Sequence, residues 1–272
     1  MNLPTLDSPG DLYMEADAQR SDKKRLVNKV AVITGGARGI GAATAKLFAE
    51  NGAHVVVADV LDELGKSLAD SIGGQYIHCD VANEADVESA VQLALVWKGK
   101  LDIMFNSAGI SGPGGSITNL KMEEMSALLS INVNGVVHGI KHASRAMIGK
   151  GGGSIVCTSS SAAIMGGLAS HAYTLSKEAI LGGKFLRKVD MRPEEVGQIV
   201  GENGSLLRGR SASVDDMAQA VLFLARNESG FVTAHNLVVD GGLLEKGNIA
   251  VQDPRKWVNG MEASELNICS RG

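Results

Sequence analysis

A tyrosine and a lysine, Tyr173 and Lys177, stand four residues apart in a segment whose pattern predicts a helix. Residues with this spacing share one helical face, so the phenol and the ammonium would point toward the same site. A positive charge beside a phenol lowers its pKa from about 10 toward neutrality. Such a phenol can accept the proton of a substrate hydroxyl. The pair therefore indicates general-base chemistry on an alcohol, although the same spacing also occurs on ordinary helix surfaces.

A second chemical signal is the glycine-rich stretch from Thr34 to Gly41, which follows a predicted strand and begins a predicted helix. Glycines in this position allow a sharp turn and a close approach of the backbone to a pyrophosphate. The free N–H groups and the dipole at the helix start favour the negative charge of that group. We therefore predict a dinucleotide site at this turn, with these residues contributing: Gly35, Arg38, Gly39, Ile40 and Gly41.

The acidic residue Asp59 ends the second predicted strand, at about the interval of 20 residues after the glycines where a carboxylate meets the adenosine ribose. A carboxylate there accepts from the ribose hydroxyls and repels a 2′-phosphate. Arg38 is the opposing signal, because a cation in the glycine turn could pair with such a phosphate. Val60 supplies no second cation beside Asp59. The balance of charge predicts NAD as the cofactor, with NADP as the alternative.

Short β-branched runs alternate with longer helical patterns along the chain. Parallel strands of this kind, covered by helices on both faces, predict a single α/β domain with a doubly wound, Rossmann-type sheet. We expect the domain to span 26–242, after a flexible tail at 1–25 and before a C-terminal extension at 243–272. The predicted strands are Val30–Ile33, Val55–Ala58, Tyr76–His78, Ile103–Phe105 and Ile155–Cys157, with Asn236–Val239 as the last.

Three motifs together resemble those of the short-chain dehydrogenase/reductases. They are the glycine turn Thr34–Gly41, the sequence Asn106–Gly109 and the segment Tyr173–Lys177. The resemblance runs from about Leu26 to Gly242. The sequences of three segments are most similar to those of the plant branch: Met104–Asn106, Gly139–Ala143 and His235–Leu237. That branch includes secoisolariciresinol, xanthoxin, borneol and isopiperitenol dehydrogenases.

The resemblance implies roles for individual residues. Asp80 and Val81 would flank the adenine, and Asn106, Ala108 and Gly109 would line the cofactor. Tyr173 and Lys177 would act both in catalysis and at the nicotinamide ribose.

Two further residues complete the catalytic set that the resemblance implies. Ser160 would bind the substrate oxygen, although the run Ser159–Ser161 allows a register slip of one residue. Asn132 would order a proton-relay water near the lysine, with Asn134 as a competing candidate. Either asparagine could instead bond only to its own helix backbone.

The segment after Lys177 departs from the family pattern. Members of the family continue with several more helical turns and a further central strand that ends in a Pro-Gly turn. Here Leu181–Gly183 interrupts the helix, and no β-branched strand run occurs before Asp240. We therefore expect one central strand to be missing or replaced, which would weaken the tetramer that the resemblance implies.

The composition excludes several other classes of protein. A net charge of −4 and a pI of about 5.9 give no general attraction for nucleic acid. The cysteines Cys79, Cys157 and Cys269 have neither a disulfide pattern nor a metal-ligand spacing. No apolar run is long enough to cross a membrane. We expect a cytoplasmic protein with no metal, no membrane and no nucleic acid as partner.

These features predict an NAD-dependent oxidoreductase that oxidises a secondary alcohol, of the cyclic terpenoid or phenolic kind, to a ketone. The pocket is expected near Ser111–Thr118, Ile164–Leu168 and the segment after Gly183. The first alternative is a truncated form that binds a dinucleotide but cannot transfer hydride. The second is an isomerase or cyclase on the same scaffold.

Overall fold

Short strands, of which the inner ones contain buried β-branched runs, alternate with helices along the chain. The computed structural model describes residues 24–148, 150, 152–165, 169–181, 213–229 and 236–240. The strands are β1 Val30–Thr34, β2 His54–Asp59, β3 Gln75–His78, β4 Ile103–Asn106 and β5 Ser154–Cys157. The helices are α1 Gly39–Glu50, α2 Asp62–Ser71, α3 Glu84–Lys98, α4 Met122–Leu129, α5 Gly135–Met147, α6 His171–Ile180 and α7 Val214–Ala225.

The five strands form one parallel sheet in the order β3-β2-β1-β4-β5. Val32 of β1 pairs with Val56 of β2 on one side and with Met104 of β4 on the other. Strands β1, β2 and β3 are added in one direction across the sheet. After β3 the chain crosses back to the other side of β1, where β4 and β5 are added in the opposite direction. This arrangement confirms the predicted doubly wound, Rossmann-type fold.

Each face of the sheet is covered by its own hydrophobic layer. On one face, Ile33 and Val57 pack with Phe48 of α1 and Leu222 of α7. On the other face, alternate residues of the same strands pack with α3 and α5, as Val32 does with Val91 and Met147. Because both faces of the sheet are covered, every residue of the central strand β1 is buried, whereas the edge strands β3 and β5 are only partly buried.

Parallel strands bring their carboxyl ends to one edge of the sheet. The glycine turn after β1, Asp59 at the end of β2 and the segment after β4 therefore meet there. Asp59 pairs with His78 of β3, and Asn106 of β4 pairs with Thr34 of β1 and Cys157 of β5. In open α/β sheets, ligands bind outside this edge, where the strand order reverses.

Two predicted elements differ in the structure. The helical pattern Met122–Met147 is not a single α-helix, because a π-helical turn at Ser130–Asn134 separates α4 from α5. The last predicted strand, Asn236–Val239, is not a strand, and Leu237 and Val238 are 39% and 46% exposed. A parallel strand needs a neighbour to pair with, and within the described ranges no strand lies beyond β5.

Apart from Asp240, the described residues belong to one compact unit. The domain limits at 26 and 242, the tail and the extension remain predictions, because their ends lie outside the described residues. The same holds for 182–212, where the sequence departs from the family pattern.

Candidate active site

The glycine turn between β1 and α1 forms a tight cradle. Gly35 has a φ of +63°, which side-chain-bearing residues rarely adopt, and a Cβ there would lie 2.7 Å from Cα of Ala108. A Cβ at Gly41 would lie 2.1 Å from the carbonyl oxygen of Gly35. A Cβ at Gly39 would meet no atom within 4 Å, so that side of the turn is open. The turn thus exposes backbone without side chains at the start of α1.

The other two residues predicted at this turn point in different directions. Arg38 is the extended residue that precedes α1, and its side chain is exposed and makes no capping hydrogen bond to the helix. Ile40 is half-buried and packs against the apolar layer that contains Phe48. Ile40 therefore anchors the helix start, while Arg38 is free to approach a ligand.

Asp59 at the end of β2 is buried and fixed by the backbone around it. Its Oδ2 accepts a hydrogen bond of 2.9 Å from the N–H of Ala37, and its Oδ1 accepts one of 3.0 Å from the N–H of Leu61. An ionised carboxylate offers about four acceptor positions, so two remain for hydroxyl donors. The carboxylate is therefore held beside the glycine turn with capacity to bind a diol.

The residues predicted to flank the adenine follow β3. Val81 is buried, and its carbonyl oxygen lies 2.9 Å from Nδ1 of His138. Asp80 is exposed, and its Oδ1 accepts a hydrogen bond of 3.0 Å from the N–H of Ala82. This pairing orients the chain where it turns from β3 into α3.

The segment after β4 contains residues that serve two different purposes. The side chain of Asn106 is buried, and its Nδ2 lies 3.5 Å from Sγ of Cys157. A Cβ at Gly139 would be only 1.9 Å from the Oδ1 of Asn106, so this asparagine packs into the core. Ala108 instead faces Gly35, and its N–H lies 3.5 Å from Oγ1 of Thr34.

Asn132 lies within the π-helical turn and is fully buried. Its Oδ1 accepts from the N–H of Ile110 at 2.9 Å, and its Nδ2 donates to the carbonyl of Ile110 at 2.9 Å and to Oγ of Ser176 at 3.0 Å. The side chain thus joins the segment after β4 to α6. Turns of the π type are frequent at functional sites, and here the extra residue directs Asn132 inward.

Lys177 is 4% exposed, and its Nζ donates a hydrogen bond of 3.1 Å to the carbonyl of Thr158. A Cβ at Gly109 would lie 3.2 Å from this Nζ and 3.3 Å from the Oδ1 of Asn132. The absence of a side chain at Gly109 therefore leaves a space that the lysine and the asparagine border. Burial lowers the pKa of Lys177 to about 8.

Tyr173 and Ser160 meet at the start of α6. Burial raises the pKa of the Tyr173 phenol, and a hydrogen bond with the side chain of Ser160 acts in the opposite direction. Ser160 also accepts from the N–H of Ala162 at 3.2 Å, which fixes it at the start of a short 3₁₀ turn. The Nζ of Lys177 lies 5.8 Å from the centre of the Tyr173 ring. The pKa of the Tyr173 phenol is therefore raised, and not lowered as the spacing of Tyr173 and Lys177 predicts. Lowering it requires further positive charge near the phenol.

The neighbouring serines and asparagines differ in their contacts. Ser159 donates to the carbonyl of Lys177 at 2.6 Å, so its hydroxyl is occupied by the backbone of α6. The Ser160 side chain instead acts on the Tyr173 phenol, whose pKa it lowers against the larger effect of burial. Asn134 is exposed, whereas Asn132 contacts α6 through Ser176.

Two residues that the sequence reasoning missed also support the site. Ser176 links Asn132 to α6 and donates 2.7 Å to the carbonyl of Tyr173. Thr158 supplies the backbone carbonyl that holds Lys177. Ser176 could have been suspected from its place directly before Lys177, but a carbonyl contact such as that of Thr158 leaves no signal in the sequence.

The substitution Lys177→Met should stabilise the protein at neutral pH. Burial lowers the pKa of Lys177 to about 8, so below that pH the buried charge lowers the free energy of unfolding of the protein. Between pH 8 and the unfolded value near 10.4, the unfolded chain binds more protons, and stability of the parent rises with pH. The variant should therefore have a free energy of unfolding about 1–2 kcal/mol higher at pH 7, after the lost bond to Thr158 is deducted.

Urea unfolding of parent and variant at pH 7, 8.5 and 10 measures this effect. The difference should shrink as the pH approaches 10. A variant that is less stable than the parent at pH 7 would show that Lys177 is not a buried, destabilising charge.

The described part of the chain holds no group of three or more His, Cys, Asp or Glu side chains that could bind a metal ion. Within the same residues, no helix is both long enough and apolar enough to span a bilayer. What the site does offer is a backbone cradle, a carboxylate beside it, a serine shortly after β5, and a tyrosine and a lysine on α6. This set can bind a dinucleotide and exchange a proton with a hydroxyl group.

Comparisons with known proteins agree with this description. Residues 29–196 match the family model described as short chain dehydrogenase, and residues 195–244 match the one described as Enoyl-(Acyl carrier protein) reductase. The chain is 54% identical to Short-chain dehydrogenase reductase ATA1 of Arabidopsis thaliana, over 80% of this chain and 93% of that protein.

Two relatives that are named for their substrates are also similar. Secoisolariciresinol dehydrogenase of Forsythia intermedia is 42% identical over 80% of this chain and 90% of its own. Borneol dehydrogenase, mitochondrial, of Lavandula x intermedia is 40% identical over 81% and 92%. With the family model covering most of its length, and with these relatives, the chain belongs to the short-chain dehydrogenases.

Proposed function

We propose that this protein is an NAD-dependent dehydrogenase that oxidises a secondary alcohol to a ketone. The observation that carries the proposal is the buried Lys177, whose Nζ lies 5.8 Å from the centre of the Tyr173 ring and donates to the carbonyl of Thr158 beside Ser160. The named activities of the secoisolariciresinol and borneol dehydrogenases favour a cyclic terpenoid or phenolic alcohol as the substrate class. NADH formation with a panel of such alcohols tests the proposal.

The residues present fit a dinucleotide. The turn at Gly35 and Gly41 leaves no room for side chains, and the open side at Gly39 lies where α1 begins. A pyrophosphate at that position would meet free N–H groups and the positive end of the helix dipole. The nearby carboxylate of Asp59 would take the adenosine ribose, and the space bordered by Gly109 and Lys177 would take the nicotinamide ribose.

The nicotinamide of NAD accepts a hydride when it is bound. The protein's own residues would supply the rest of the chemistry. The Ser160 hydroxyl would bind the substrate oxygen, and the Tyr173 phenolate would accept the proton of the substrate hydroxyl at its Oη. Lys177, which carries its charge below about pH 8, would act to lower the phenol pKa, and Asn132 would hold the segment at Ile110 beside the lysine. The raised pKa of Tyr173 in the free protein implies that oxidation becomes faster as the pH rises.

The preference for NAD is tested at Asp59. The parent should bind NAD at least tenfold more tightly than NADP, because the carboxylate accepts from the ribose and opposes a 2′-phosphate. Asp59→Ala should weaken NAD binding by about 10–100-fold, the usual range for a hydrogen bond to a charged group. Fluorescence titration with both nucleotides measures these affinities.

Asp70→Ala is the matched control, since it removes an exposed carboxylate from α2, the helix that follows Asp59. Its affinity for either nucleotide should equal that of the parent. Tighter binding of NADP by the parent would contradict the assignment and make Arg38 the deciding residue.

A second candidate function is a shortened form that binds the dinucleotide but does not transfer hydride. The alignment with the Arabidopsis relative extends over 254 residues, whereas 80% of this chain is about 218 residues. The relative therefore has about 36 positions in this stretch without a counterpart here. Within the described residues β5 is the outermost strand on its side of the sheet. Nucleotide binding without NADH formation from any alcohol of the panel would favour this form.

The remaining features are proposed from the resemblance. We expect a tetramer, weakened by the missing unit, and a cytoplasmic location. Conversion of a substrate without net reduction of NAD would favour the third candidate, an isomerase or cyclase.

A further inference from the structure

The carbonyl oxygen of Asp59 receives two hydrogen bonds from the neighbouring strand and loop. One, of 3.0 Å, comes from the N–H of Cys79, and the other, of 2.8 Å, comes from the Tyr76 hydroxyl. The first continues the pattern of the parallel sheet. The second is made by a side chain, so the sheet does not require it. Together with the bonds of its carboxylate to Ala37 and Leu61, they hold Asp59 at four points.

The Tyr76 ring reaches Asp59 because α2 leaves space for it. Gly65 in the first half of α2 lies directly over the ring, and a Cβ at this position would be 2.3 Å from Cε2 of Tyr76. Glycine within a helix destabilises it by about 0.5–1 kcal/mol relative to alanine. Any residue larger than glycine at position 65 would therefore clash with the Tyr76 ring in its present position.

The same hydroxyl contacts the first turn of α2. The Tyr76 oxygen is also 2.5 Å from Oδ1 of Asp62, so its single proton is shared between this carboxylate and the carbonyl oxygen of Asp59. Nδ1 of His78 lies 2.7 Å from the same Oδ1. The hydrogen bonds from Tyr76 and His78 lower the pKa of Asp62, so this carboxylate is an ionised acceptor near neutral pH. Burial and the Asp62 carboxylate raise the pKa of Tyr76, which keeps its proton as the donor of the group.

We propose that Tyr76, with Asp62 and His78 behind it, is a positioning residue for the carboxylate of Asp59 and thereby for selection of a dinucleotide with a free ribose 2′-hydroxyl. The Tyr76 hydroxyl fixes the peptide between Asp59 and Val60, at the point where the chain leaves β2 for α2. Without it, Asp59 keeps the bond from Cys79 but loses the one that ties this peptide to α2. The inference rests on the proposed use of Asp59 in NAD binding.

The test is the nucleotide affinity of Tyr76→Phe, which removes the hydroxyl and keeps the ring against Gly65. Loss of one hydrogen bond should weaken NAD binding by about three- to tenfold. NADP should be little affected, because its 2′-phosphate gains nothing from Asp59, so the ratio of the two affinities should fall. A general loss of stability would not change that ratio. Direct titration needs no turnover and applies to an inactive form as well.

Two further variants complete the comparison. Gly65→Ala should displace the ring and lower the same ratio by a different route. Ser71→Ala is the control, because the Ser71 hydroxyl also donates to the backbone of α2, at 2.7 Å to Leu68, but at the other end of the helix. Its affinity ratio should remain that of the parent.

The outcomes separate this inference from the proposed function. An unchanged affinity ratio in Tyr76→Phe, with NAD binding lost in Asp59→Ala, overturns the role of Tyr76 and leaves the cofactor assignment standing. An unchanged ratio in both variants overturns the use of Asp59 as well. A fall in thermal stability of Tyr76→Phe without a change in the ratio would also overturn the inference, since it would make Tyr76 a packing residue only.

Discussion

Tyr173→Phe should reduce the rate of alcohol oxidation by about 10²–10⁴-fold, the usual contribution of a general base. The substitution removes the hydroxyl that Ser160 contacts and preserves the buried ring. NAD affinity should change by less than about threefold, because the cradle at Gly35 and the carboxylate of Asp59 lie on β1 and β2, away from α6. Steady-state NADH formation gives the rate, and fluorescence titration gives the affinity.

The neighbouring residue offers a matched control. Thr174 is buried, and among the described residues its hydroxyl has no hydrogen-bond partner. Thr174→Val removes that hydroxyl from the same helical turn and keeps the shape of the side chain. Because an unpartnered buried hydroxyl is unfavourable, the variant should be as stable as the parent or slightly more stable, with the same rate. A Tyr173→Phe protein that oxidises alcohol at the parent rate would remove Tyr173 from the catalytic assignment.

The fold could be predicted because its strands carry local signals. The runs Val30–Ile33 of β1 and Val55–Ala58 of β2 are apolar without interruption, as is typical of strands buried on both faces, and the glycine turn marks the first crossover. The prediction failed at Asn236–Val239, where the residues have the composition of a strand. Strand formation depends on a partner, and the identity of the neighbouring segment is not contained in those four residues.

The positions of the candidate site residues in the fold could be predicted where spacing within one element sufficed. Tyr173 and Lys177 share a face of α6, and Asp59 ends β2, so their sequence positions fix their places. The π-helical turn at Asn132 could not be predicted, since one extra residue in a helix leaves the apolar pattern almost unchanged. The raised pKa of Tyr173 was also not foreseen, because it follows from burial by residues distant in the sequence.

The largest combined effect is expected when the helix-strand unit that the shortened-form hypothesis takes to be missing is restored. A chain with a family-like helix, strand and Pro-Gly turn inserted after Leu181 should show a higher melting temperature, a larger tetramer fraction and a faster dehydrogenase rate. The inserted strand would pair with β5, whose outer edge has no strand beside it among the described residues. Pairing satisfies the backbone N–H and C=O groups of that edge and covers apolar surface, and each term adds to the free energy of unfolding.

The rate should increase for a separate reason. The Pro-Gly turn of the family follows this strand and would add a wall beside the nicotinamide, so NAD affinity and turnover should rise together. Melting temperature, mass in solution and NADH formation from borneol-like alcohols are compared at equal protein and cofactor concentrations. An insertion of the same length made of Gly and Ser residues is the control, because it adds chain without a strand and should improve none of the three. If the present chain already melts cooperatively, assembles and turns over as fast as the restored one, the segment from Lys184 to Gly209 must supply the strand's role, and the shortened-form hypothesis is wrong.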